Sequence, residues 1–216
     1  MTPRVRKLVR VLVGLAATGA FLALFLRQLD VGDAAGKFRS LPWWATVAGA
    51  AMIFVNLGFM SLRWQYLLRG AGGDAHGLRP AWRERVEHAV ANFVAGLGGF
   101  ANRRQLGLAL AASAGMWTAD VVMYAIVGWA YGLDTGPGAY FLLEGVANLA
   151  LAIPAAAAGI GTFDYLTLVA AQSIDIPTDV ATAYVLTVHM LTVVPITIAG
   201  GLLLRRAFPR LSSARS

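Results

Sequence analysis

The sequence predicts an all-α, polytopic integral membrane helical bundle with a broken or re-entrant segment near residues 139–174. Three observations carry this. The 216 residues are 58% hydrophobic and only 13% charged, with mean hydropathy +0.64. Soluble domains hold roughly 45–50% apolar and about 25% charged residues. The 18 Lys and Arg all fall before position 105 or after 204, whereas six acids lie between (Asp120, Asp134, Glu144, Asp164, Asp175 and Asp179). Cations confined to a few loops follow the positive-inside pattern and suit anionic lipid headgroups. Finally, the apolar stretch Asn148–Ile174 is interrupted by Pro154 and the Gly159-Ile160-Gly161 step.

Residues 1–216 form a single membrane domain. Arg4, Arg6, Lys7 and Arg10 precede an apolar run that, taken over residues 8–26, approaches the roughly 17–25 residues a spanning helix needs. Without a small-x-small cleavage pattern beyond it, the run is expected to be an uncleaved first span with a cytoplasmic N-terminus. Arg27–Pro42 is expected to be a short mixed-charge loop. Trp43 and Trp44 open the second span, 43–62, at an interfacial aromatic belt. Asn56, its strongly polar interior residue, should hydrogen-bond a neighbouring helix. Arg63, Trp64 and Tyr66 then make a cationic–aromatic rim, either an interfacial anchor or a lipid-phosphate contact.

A Gly-rich connector, Gly70–Pro80, leads to 81–104. Trp82, Val86, Val90, Phe93 and Leu97 recur there at helical spacing. Its uncharged part is too short to span and has arginines at both ends, so an interfacial or re-entrant helix is expected. The third span covers about 106–131 and carries Asp120 mid-membrane, where an acid should face a partner or a cavity. Gly132–Gly138 is a turn without Lys or Arg, which suits the outer side.

The fourth hydrophobic segment covers 139–158. Glu144 and Asn148 share one helix face there, being four apart. Pro154 ends or kinks the helix because it lacks a backbone donor and clashes with the preceding turn. After Gly161, Thr162 or Thr167 can supply local hydrogen bonds, and 163–174 has the length of a half-helix. Thr178 and Asp179 restart a final span, 180–204, which contains His189 and Pro195. Arg205, Arg206, Arg210 and Arg215 then put the C-terminus in the cytoplasm. Parity requires 139–174 to begin and end outside, as two short passes or a re-entrant hairpin.

The sequence carries no Walker A loop, GxSxG, HExxH or zinc-ligand spacing, and no cysteine. No cofactor, metal or nucleic-acid partner is expected. The basic charge lacks the aromatic interleaving of a nucleic-acid face. Glu144, Asp164 and Asp120 form a candidate buried acid set suited to proton coupling or to binding a polar headgroup. His189 reads either as a hydrogen-bonded core group or as a proton carrier.

The block Asn148–Asp164 resembles the late hallmark of the lysylphosphatidylglycerol synthase transmembrane-region, or flippase-like, family. That hallmark is a Pro, a few residues, then Pro-Gly-Gly-Ile-Gly-Thr-Phe-Glu. Pro154, Gly159, Ile160, Gly161, Thr162 and Phe163 match, Asp164 stands for the Glu, and Ala157-Ala158 replaces Pro-Gly. Leu62, Arg63, Trp64, Leu67 and Leu68 fit a weaker early pattern. The resemblance covers Arg4–Gly70 and Val86–Arg206. A mid-chain Pro-Gly-Arg-Ala-Gly-Glu-like motif is absent between Arg69 and Ala81, so the chain resembles an internally shortened member.

The resemblance implies an inner-membrane protein that handles, translocates or presents a polar or isoprenoid lipid. It does not imply an enzyme, because the aminoacyl transfer that names the family belongs to a separate soluble domain. The candidate substrate-binding residues are Arg63, Trp64, Asp120, Glu144, Asn148, Pro154, Gly159, Gly161, Thr162, Asp164 and His189. The expected partners are membrane lipids. The alternative is a non-transporting accessory subunit of a lipid or cell-envelope glycan pathway, with an envelope-biosynthesis membrane partner.

Overall fold

The computed structural model describes residues 3–70, 102–153 and 157–213. Along these the chain forms α1 (Pro3–Leu26), α2 (Val31–Ser40), α3 (Trp43–Gly70), α4 (Arg103–Ala130), α5 (Pro137–Leu151), a 3-10 turn (Ala157–Gly159), α6 (Thr162–Gln172) and α7 (Thr178–Ser213). Strands are absent among the described residues. The interfacial or re-entrant helix expected at 81–104 falls almost wholly outside them.

Among the described residues, three stretches are long and apolar enough to cross a membrane: Trp43–Leu67, Arg103–Ala130 and Thr178–Leu202, of 25, 28 and 25 residues. A span needs about 20 residues. The apolar part of α1, Leu12–Leu26, is shorter, as are α5 with 15 residues and α6 with 11. Large apolar side chains point outward along these helices, among them Leu110, Trp129, Phe141, Leu149, Ile198 and Leu202. Such an outer surface is what a hydrocarbon solvent requires.

The chain divides into two compact units, Met1–Ile53 with Asp120–Ser216, and Phe54–Ala119. In the second unit, Asn56 Nδ2 donates to the Met116 carbonyl at 3.3 Å, the interhelical bond its sequence position predicts. Gly115 lies so close to Phe59 that a Cβ would come within 2.6 Å of the ring. Ser61, Ser113 and Thr118 return their hydroxyls to the carbonyl four residues earlier, which hides each donor from an apolar surround.

In the first unit the core gathers Met123, Tyr124 and Val127 of α4, Tyr140 and Leu143 of α5, Phe163 and Leu168 of α6, and Tyr184, Val185 and Val188 of α7. The short helix α6 is its hub, packing against α1, α5 and α7. Tyr124 and Tyr131 each meet Tyr184 edge-on at 6.4 Å, and the Tyr184 hydroxyl donates to the Tyr124 carbonyl at 3.1 Å.

The stretch expected as the loop 27–42 instead holds α2. Asp30 Oδ1 accepts the Gly32 N–H at 2.9 Å and starts the helix, while Lys37 and Arg39 lie in its last turn, as the helix dipole favours. α2 packs against α7, where Lys37 pairs with Asp179.

Candidate functional site

The break between α5 and α6 is built from backbone that most residues avoid. α5 closes at Leu151 with Ala152 still helical at its cap, three residues before Pro154, which lies outside the described residues. Past it, Ala158 takes φ 61°, Gly159 φ 72° and Gly161 φ 86°. Left-handed conformations are costly for a residue with a Cβ, so Ala158 must be held in place by its surroundings. His189 on α7 provides that hold.

The His189 ring reaches across the break. Its Nε2 lies 2.9 Å from the Ala158 carbonyl and its Nδ1 2.6 Å from Asp164 Oδ1. Asp164 Oδ2 meanwhile accepts the Gly161 N–H at 2.9 Å. This is the carboxylate half of a capping box, placed in the first turn of α6 where an acid suits the helix dipole. Thr162 Oγ1 donates to the Gly159 carbonyl at 3.1 Å, and Phe163 lies against the imidazole with centroids 4.4 Å apart. Asp164 and His189 are both buried.

Hydrogen bookkeeping constrains this pair. A carbonyl oxygen only accepts, so Nε2 carries a hydrogen. One further proton lies between Nδ1 and Asp164. Whichever atom holds it, the pair is neutral overall, which is the arrangement a low-dielectric interior favours. Both Asp164 oxygens are engaged, so the residue shapes the break.

Gly161 fixes the break to α1. A Cβ there would lie 2.8 Å from Leu22 N and 2.9 Å from the Thr18 carbonyl. These are backbone atoms, so only glycine fits. Beside the break a cavity of about 240 Å³ is lined by Leu151, Ala158, Phe163, His189, Val193 and Ile196, with Thr192 and Thr197 completing the wall. The lining is apolar apart from the imidazole and two hydroxyls, each of which already donates within α7.

Glu144 and Asn148 do share a face of α5, and Asn148 Nδ2 bonds both the Glu144 carbonyl, at 3.1 Å, and its Oε1. Glu144 is buried. Asp120, on α4, is close enough for its charge to act on Glu144 and on Tyr124. Arg63 lies 5.8 Å over the Trp64 ring in the second unit, a cation–π contact. Among the described residues, no three His, Cys, Asp or Glu side chains gather as metal ligands would. Sequence reasoning passed over Ala158, whose carbonyl takes the imidazole, and the α1 backbone behind Gly161. Neither carries a side-chain signal.

These features define a polytopic α-helical membrane protein with a latched helix break beside a small apolar cavity. Residues 75–200 match the model of the lysylphosphatidylglycerol synthase TM region, and the chain belongs to that family. The matched stretch contains the Gly159–Asp164 block and His189; the early Leu62–Leu68 pattern lies outside it. The chain is also 30% identical over 173 residues to glycosyltransferase AglD of Haloferax volcanii, covering 71% of this chain and 26% of AglD. It therefore spans about a quarter of that relative's length. No solved structure matches.

Proposed function

We propose that the chain is a flippase-like membrane protein that handles a polar or isoprenoid lipid at the α5–α6 break. The observation that supports this most directly is the cavity beside the latched break. It offers apolar walls from Leu151, Phe163 and Ile196 for a hydrocarbon chain, and it ends on the imidazole and carbonyl that hold the break. In a bilayer, non-helical backbone persists only where protein or a water-filled cavity satisfies it, and broken helices mark transport sites. The inferred setting is the inner or plasma membrane with both termini cytoplasmic, and this role is not enzymatic.

The test is headgroup flipping in reconstituted vesicles with fluorescent lipids. Ile196→Trp fills the cavity from a half-exposed position and should abolish protein-dependent flipping, as should Asp164→Ala and Gly161→Leu. Wild-type rates equal to those of protein-free vesicles would sink the reading.

A second reading has its own support. The relative is named a glycosyltransferase and is about four times longer than the aligned stretch. A chain of this kind would serve as a non-transporting accessory subunit in a lipid or envelope-glycan pathway. Co-purification with a lipid-linked glycan enzyme, with no flipping by the isolated chain, would favour it.

A further inference from the structure

Glu144 stands apart from the latch. It is 1% exposed, its Oε1 is held by Asn148, and its Oε2 is buried without a hydrogen-bond partner. Asp120 and Tyr124 of α4 lie within electrostatic reach of Glu144; α5 itself carries Tyr140, and α6, which packs on α5, carries Asp164 and Tyr165. Asp120 repels a charge on Glu144. Asp164 and His189 neutralise one another. From Gln105 to Leu204 the sequence holds no Lys or Arg, so α5 and α6 carry no permanent cation, and neither does α4 beyond its first two residues. Among the described residues no Lys or Arg pairs with Glu144, so an ionised Glu144 would be a buried charge without a counter-ion there, a costly state.

Something must neutralise it. A dehydrated metal ion needs a shell of several oxygens. Asn148 instead presents donor hydrogens to Glu144, which oppose a cation. We propose that Glu144 is a proton-binding site, with Oε2 as the atom that takes and releases the proton. The site does not depend on the lipid-handling reading. If that reading holds, Glu144 is where a pH gradient would enter the transport cycle.

Infrared spectroscopy of the purified chain at neutral pH tests this with the proton alone as ligand. The wild type should show a protonated carboxyl stretch with a component that is lost in Glu144→Gln and kept in Asp164→Asn and Asp120→Asn. Glu144→Asp, which retains a carboxyl, should shift the band; it covers the case in which Glu144→Gln does not fold. Absence of the band in the wild type, a band left wholly unchanged in a folded Glu144→Gln, or removal of the Glu144 component by added sodium would each overturn the assignment. No lipid is required, so this outcome is separable from the flipping result.

Discussion

Asp164 and His189 are 25 residues apart in sequence and 2.6 Å apart in the fold. Their bond ties the start of α6 to the middle of α7, and the other imidazole nitrogen ties α7 to the turn before α6. One side chain therefore holds both sides of the break. Asp164→Ala leaves the Gly161 N–H without an acceptor and an imidazole nitrogen without a partner. The expected loss is about 3 kcal/mol, the usual scale for breaking a buried pair. Asp164→Asn keeps one acceptor and should lose about 1–2 kcal/mol. Thermal unfolding in detergent would separate the two; equal stabilities would argue that the latch does not hold.

Gly161 and Gly145 form a matched pair for a second experiment. Ala at 161 would meet α1 backbone and would have to adopt φ 86°. Strained backbone alone costs about 1–3 kcal/mol, so a total of at least ~3 kcal/mol is expected. A Cβ at Gly145, inside α5, has nothing within 4 Å. Gly145→Ala should be neutral or gain up to about 1 kcal/mol from helix propensity. The same unfolding measurement reads both.

The Lys37–Asp179 pair is the ionic tie between α2 and α7, and both side chains are partly exposed, at 28% and 45%. Water and salt screen such pairs, so Lys37→Ala should cost no more than about 1 kcal/mol. The effect should shrink at high salt. The double swap Lys37→Asp with Asp179→Lys should recover most of it, and a cost that ignores salt would point to packing by the lysine stem instead.

The natural absence of cysteine makes topology directly measurable. Asp134→Cys and Ser173→Cys, one on each side of the α5–α6 pair, should both react with a membrane-impermeant thiol reagent added outside intact cells. Arg205→Cys should react only after permeabilisation. Labelling of positions 134 and 173 from opposite sides would overturn the hairpin and the parity argument behind it.

The break itself was legible because proline and glycine act through the backbone, and their effect needs no partner. The α5–α6 boundaries were less so. α5 ends at Leu151, earlier than the segment 139–158 suggests, because the chain leaves the helix ahead of Pro154. α7 runs to Ser213, past the apolar limit at 204, because arginines are good helix formers and a change from apolar to basic residues does not itself end a helix. α2 was hidden by Gly32, Gly36 and mixed charge; its order comes from the Asp30 cap and from packing on α7. The Glu144–Asn148 pair follows from a four-residue spacing. The His189 latch follows from no local rule. It joins two helices through a carbonyl and a carboxylate, and only the fold brings them together.

The seat of Gly161 on the α1 backbone at Thr18 and Leu22 sets an order of assembly. During synthesis α1 emerges long before its partner exists. Translation proceeds at roughly 5–20 residues per second, so with about 140 residues still to come the first helix waits on the order of ten seconds. Throughout that interval its Gly161-facing strip must be shielded by lipid or by the insertion machinery. The contact closes only once Gly161 has been made, so the seat on α1 is among the later tertiary contacts the chain can form.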